Sequence, residues 1–174
     1  MADYINPGPG TTSQIVLQID TSASSTITTT SGVVTAIALG ASALTVPSLQ
    51  DITVNAANDV FTWSQLDSSA KKQVATTSTN SVSMNLVVDD ATFFGTTLNA
   101  AQSDAVAVQG ILGLSRNKTP ICFTLKMREN SSTDRVLKGQ GYITGVAPTI
   151  SADSPVWVTP VTITVTGEYL VAAS

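Results

Sequence analysis

Apolar and polar side chains alternate at every second position along most of this 174-residue chain, a period that commits it to β-strands with one buried face. Between Ser13 and Asp20, Ile15, Leu17 and Ile19 point one way and Gln14, Val16 and Gln18 the other. Ile27 to Thr30 and Val33 to Leu39 flank Ser31-Gly32 and read as a hairpin with β-branched arms. A further strand is expected within Leu44 to Val54, interrupted by Pro47. From Ser81 to Asp90, Val82, Met84, Leu86 and Val88 share a face. Ile121, Phe123, Leu125 and Met127 alternate with Cys122, Thr124, Lys126 and Arg128, and Asn130 to Asp134 forms the turn into a return strand over Arg135 to Val146. The last strand spans Val156 to Leu170, with Trp157, Val161, Ile163 and Val165 on one face, and Pro160 should bulge it or place it at an edge.

Two segments break the pattern. Leu98, Ala101, Ala105, Val108 and Leu112 recur at helical spacing, which predicts a helix over Asn99 to Leu112 ended by Gly113. Residues from about Asn55 to Asn80 show weak periodicity and many small polar residues, and are read as a projecting loop in which Ser64 and Asp67 fit the cap of a short helical turn. The fold expected is mostly β (α+β): two packed antiparallel sheets in a sandwich or barrel with one flanking helix. Residues 1–12, rich in Pro and Gly, form an N-terminal arm, and 13–174 form a single domain carrying the loop at 55–80.

Composition narrows the function. Charged residues make up 11% of the chain against roughly 25% in ordinary soluble domains, and mean hydropathy is +0.24. Monomers keep soluble by covering themselves with charge, so a folded chain this neutral is expected to bury much of its surface against other subunits. Net charge is −4 and the pI about 4.4. Of eight basic residues only Lys71 and Lys72 are adjacent, which argues against a nucleic-acid grip built on phosphate neutralisation.

Catalytic constellations are missing from the sequence. With no histidine, His-based triads and His-ligated metals are excluded. Cys122, the one cysteine, lacks an activating base and a disulfide partner, and reads as a small core filler. Asp89-Asp90 is the only adjacent carboxylate pair; on a strand these side chains point to opposite faces, so a strand-ending turn fits better than a shared proton. No phosphate-loop or dinucleotide signature occurs, and no cofactor is expected. Asn117-Lys118-Thr119 and Asn130-Ser131-Ser132 match the glycosylation pattern but are expected to stay unmodified in a chain made in the cytoplasm. The N-terminus lacks the features of a secretory signal, and no apolar run approaches the ~20 residues of a membrane helix.

Three stretches, in order, resemble a known family. Trp63-Ser64-Gln65-Leu66-Asp67-Ser68-Ser69-Ala70-Lys71-Lys72 leads into a Thr-rich spacer. NSVSMNLVVDD over Asn80 to Asp90 precedes the Ala-rich segment. ICFTLKMRE, LKGQGYITGV and VTPVTITVTGEYL close the chain. This succession is similar to that of major tail tube proteins of long-tailed, siphovirus-like bacteriophages, over about Ser13 to Leu170. The resemblance implies a non-enzymatic structural protein of the virion tail, made in the host cytoplasm. Six subunits would close into a ring with one sheet from each joining an inner barrel, and rings would stack into a tube through which double-stranded DNA passes without specific binding. It implies tape measure and tail-end proteins as partners, and inter-ring contacts from the arm and the 55–80 loop, where Val60, Phe61, Trp63, Leu66, Lys71 and Lys72 are the candidates. An acidic wall suits a conduit for phosphates, with Asp89, Asp134, Asp153 and Glu168 as candidate lumenal acids. Tubes of contractile tails share this fold, and no additional C-terminal Ig-like domain is visible here.

Rival readings are a capsid decoration protein, a pilus-like subunit, and a carbohydrate-binding sandwich. The last needs a row of exposed aromatics, and aromatics are 5% of this chain. Trp63 and Trp157, far apart in sequence, read as interface or core anchors.

Overall fold

The computed structural model describes residues 15–47, 49–64, 70–127, 135–152 and 154–173. The 1–12 arm, Leu66, Asp134 and Asp153 therefore lie outside the described residues, as does the turn expected at Asn130 to Asp134. The chain runs β1 (Val16–Thr21), β2 (Thr26–Thr30), β3 (Val33–Ala38), β4 (Leu44–Thr45), β5 (Leu49–Ser64), β6 (Lys71–Val87), α1 (Asp90–Phe94), α2 (Val106–Arg116), β7 (Ile121–Met127), β8 (Arg135–Val146), β9 (Thr149–Ser151), β10 (Ser154–Val165) and β11 (Leu170–Ala173).

The architecture is mostly β, as the alternation predicts, and its two antiparallel sheets are very unequal. The large sheet has the order β4-β1-β7-β8-β10-β6-β5, with β11 beside β8 and β9 beside β10. The small sheet is the β2-β3 hairpin. Its turn residues Ser31 (φ 52°) and Gly32 (φ 79°) both take positive φ, the backbone that matches the twist of a two-residue hairpin.

One face of the large sheet carries the core. Leu17 and Ile19 of β1, Val82, Met84 and Leu86 of β6, Ile121, Phe123 and Leu125 of β7, and Val161 and Ile163 of β10 are all at most 2% exposed, as the alternation placed them. Phe93, Val106, Ile111 and Leu114 close the core from the helical side. The other face is partly covered by the hairpin's exit: Lys138 Nζ donates to the Ile37 carbonyl (2.9 Å), and buried Asp20 accepts the Gly40 N–H (2.7 Å). Cys122 is buried there, as expected, with its thiol pKa raised chiefly by burial.

Three local readings are corrected. The helix begins at Val106 rather than Asn99, continues through Gly113 to Arg116 with Asn117 as its C-terminal cap, and a short helix α1 precedes it. Gly110 takes φ 65° inside α2 and kinks it, so a stripe extrapolated across that residue lands on the wrong face. Leu98 and Leu112 are exposed while Val106, Ile111 and Leu114 are buried. Gln109, 2% exposed, braces the kinked segment: its Nε2 donates to the Ser103 carbonyl, and its Oε1 accepts from Asn117 and Thr119.

The final strand divides into β10 and β11, both paired antiparallel to β8, with Gly167 at φ 82° in the break. β10 is a central strand, not an edge. Val88 N–H donates to the Trp157 carbonyl (2.8 Å), so positions 157, 159 and 161 form the hydrogen-bonded pairs with β6. The nitrogen of Pro160 then faces β8, whose ladder begins only at Val161–Val146, and the bulge falls later, between Thr162 and Ile163.

The third correction concerns residues 55–80. Of these, 55–64 and 71–80 form the outer halves of β5 and β6, which pair from Leu49–Leu86 out to Ser64–Lys71. Ser64, expected to cap a helical turn, ends a strand, and Asp67 lies outside the described residues.

Candidate assembly surfaces

The β5-β6 hairpin is an arm without a buried face. Every described residue from Thr53 to Thr79 is exposed, because the strands run beyond the edge of the packed core. Side chains alternate across it. Phe61 and Trp63 lie on one face with their cross-strand partners Val74 and Lys72; Val60 lies on the other, as does Lys71 opposite Ser64. The Phe61 and Trp63 rings stack at 5.9 Å with an interplanar angle of 24°. Phe61 is 59% exposed and Val74 49%, so this is a rigid aromatic platform offered to solvent. The six residues proposed for inter-ring contact thus divide: Phe61, Trp63 and Lys72 together, Val60 and Lys71 opposite, and Leu66 outside the described residues.

The break between β10 and β11 anchors the base of the arm. Tyr169 Oη lies 2.8 Å from the Ser81 carbonyl and 2.9 Å from that of Asn55, two residues paired across β5 and β6. Burial raises the Tyr169 pKa above the ordinary phenol value. Asn80 Nδ2 donates to the Gly167 carbonyl (2.8 Å), and the Ser78 hydroxyl donates to the Glu168 carboxylate. These contacts fix the direction in which the arm leaves the body.

A second apolar surface lies at the far end of β6. Val88, Phe93, Phe94, Leu112, Pro148 and Trp157 line a cleft of about 230 Å³ that has no polar lining. Phe93 and Phe94 meet edge-to-face at 4.9 Å, with Phe93 in the core and Phe94 39% exposed. Trp157 shares strand parity with Val161 and Ile163 but is 50% exposed: beyond the core its face becomes the cleft wall. Asp89 ends the strand as expected, but as the cap of helix α1 rather than in a turn, accepting from Thr92 N–H (3.1 Å) and Thr92 Oγ1 (3.0 Å). Asp90 follows it, exposed, as the first helical residue.

Sequence reading missed the cleft. Phe93-Phe94 after Asp89 was the available signal, but Leu112, Pro148 and Trp157 join it only through the sheet order. Among the described residues no group of three His, Cys, Asp or Glu stands where it would hold a metal, and no helix is long and apolar enough to cross a membrane.

No family model matches the sequence, and no curated protein does either. Solved structures do match. A chain in the tail of an empty gene transfer agent (GTA) particle, refined with C6 symmetry, superposes with a TM-score of 0.55 at 11% identity, over 91% of this chain and 95% of that one. A chain in the native GTA virion gives 0.54 at 11% identity, over 90% and 95%. The SPP1 tail tube gives 0.53 at 13% identity, over 92% and 77%. This is a tail-tube fold.

Proposed function

We propose that this chain is the structural subunit of a phage tail tube, assembling as stacked hexameric rings that form the conduit for genome ejection. The observation that carries the reading is the likeness, across nine-tenths of the sequence, to chains of tail assemblies, one of them refined with C6 symmetry. The physical chemistry supports it independently. A weakly charged chain with an exposed aromatic arm and a second apolar surface suits a protein whose outer faces become interfaces. Pairing between subunits would protect long strands from uncontrolled edge association.

In this reading the protein performs no chemistry and takes no cofactor. The arm, through Val60, Phe61, Trp63, Lys71 and Lys72, contacts the adjacent ring, and Leu66 of the same stretch of sequence is a further candidate. DNA passes through without specific binding, because scattered cations on an acidic chain offer phosphates no continuous track. Asp89 and Glu168, the two described candidates, are both exposed and are our candidates for the wall of the conduit, Asp89 while capping α1 and Glu168 while accepting from Ser78 at the base of the arm. Tape measure and tail-end proteins would be its partners in the virion tail, after synthesis in the host cytoplasm.

Sedimentation velocity over a concentration series tests the proposal. A tube subunit gives a monomer or ring boundary that gives way to open-ended, fast-sedimenting polymer as concentration rises. A species that stops at a trimer, or a stable monomer that titrates with oligosaccharides, would point to a decoration protein or a carbohydrate-binding module instead.

A further inference from the structure

The two apolar surfaces sit at opposite ends of the same strand. β6 opens at Lys71-Lys72, beside the aromatic platform, and closes at Val87, one residue before the cleft-lining Val88. Lys72 and Val88 are 16 residues apart in sequence, about 50 Å at ~3.3 Å per residue. The platform therefore cannot reach the cleft of its own chain. Charge is arranged with the same polarity. The chain's only adjacent basic pair, Lys71-Lys72, flanks the platform, and its only adjacent acidic pair, Asp89-Asp90, flanks the cleft.

We infer that the aromatic face of the arm docks into the Phe94–Trp157 cleft of a second copy of this chain, head to tail along β6. The inference rests on the tube reading above and names the surface that receives the arm. Size fits: a cavity of ~150 Å³ accepts a benzene ring, and this one is about 230 Å³ with apolar walls throughout. Phe61, more than half exposed at the platform, is the ring that enters, with Trp63 stacked behind it. Burial of these rings provides the attraction. The lysine and aspartate pairs set orientation, since two platforms or two clefts brought together would set like charges against each other. A contact between different surfaces of identical subunits is heterologous, so it propagates from copy to copy instead of closing on a dimer.

Two cysteine variants read the contact directly. Val74→Cys, beside Phe61 on the platform face, and Leu112→Cys are prepared separately, each retaining Phe61 and the buried Cys122, and treated under assembly conditions with a short bifunctional thiol reagent. Neither variant alone should give a covalent dimer, whereas their mixture should, because the platform of one meets the cleft of the other. In a second arm, Lys71→Glu with Lys72→Glu should raise the concentration needed for assembly about tenfold, and adding Asp90→Lys should recover most of that loss while sparing the Asp89 cap. Tubes that form normally with no mixed cross-link and no charge rescue overturn this inference alone. Protein that neither assembles nor cross-links at any concentration overturns it together with the tube reading.

Discussion

Replacing Gly141 by alanine would put a methyl group into the backbone of the neighbouring strand. On β8 the added carbon would overlap the Thr164 carbonyl oxygen and lie 2.9 Å from the Thr164 carbonyl carbon and 3.1 Å from Val165 Cα. Carbon atoms rest at ~3.5–4.0 Å, so relief requires β8 and β10 to part by about 0.5–1 Å at the Gly141–Val165 pair. Overpacking of this kind costs about 1–3 kcal/mol, and each weakened ladder bond adds about 1 kcal/mol. The expected loss is about 2–4 kcal/mol, a large part of the ~5–15 kcal/mol that holds a domain together. The same strand supplies its own controls. At Gly145 the added carbon would sit 3.4 Å from Thr162 Cβ and Oγ1, an ordinary contact, and the change should be neutral within about 0.5 kcal/mol. At Gly139 it would meet the Phe123 ring edge at 2.7 Å; a buried ring yields more readily than a backbone, so the cost should be intermediate. Urea unfolding of the three variants, followed by tryptophan fluorescence, should order them Gly145→Ala, Gly139→Ala, Gly141→Ala by falling midpoint, with the last lower than wild type by about 1–2 M at unchanged slope. Equal midpoints for Gly141→Ala and Gly145→Ala would refute the close crossing of β8 and β10 on which the sheet order depends.

Three further outcomes follow from the same geometry. Replacing Asn58–Ser78 by Asn-Gly, a two-residue turn joining the paired Ala57 and Thr79, should leave the unfolding midpoint within error and abolish polymerisation; long tubes from that protein would remove the arm from assembly. Ile163→Asp should yield insoluble protein, because it places a carboxylate at a 0% exposed position of the core; a soluble variant with a cooperative melt would reverse the assigned face of β10. Tyr169→Phe should cost about 1 kcal/mol at neutral pH. Because burial raises the folded pKa of Tyr169, its contribution is intact below about pH 10, where an unfolded tyrosine ionises, and fades as pH climbs through the folded value. The stability difference between wild type and Tyr169→Phe should therefore narrow in alkaline solution, and a constant difference would contradict that burial.

The parts of this fold that were legible in the sequence are those with one wet face and one dry face. β1, β7 and β8 bury Leu17, Phe123 and Ile143 while their alternate residues meet solvent or the covering hairpin, so period two is written in them. Ser31-Gly32 was legible because a two-residue turn needs positive φ and those residues tolerate it. The arm was not, for the converse reason: with both faces exposed, nothing forces apolar residues to one side, and a regular hairpin looks like an irregular loop. Helix α2 was misplaced because Gly110 resets the helical phase, a backbone event that side-chain spacing cannot report. Trp157, read as an interface or core anchor, shares the parity of Val161, but the core ends before it and leaves it to line the cleft. The candidate site divided in the same way. Phe61 and Trp63 stood out as large apolar residues in polar surroundings, but the cleft that complements them is assembled from α1, α2, β10 and the segments after β6 and β8, and exists only once β6 and β10 are paired.

Negative-stain electron microscopy of the purified protein, concentrated and incubated, tests the central claim most directly. Hollow tubes with a continuous lumen, or six-fold rings, are the predicted result. Three-fold particles or solid fibres would contradict it.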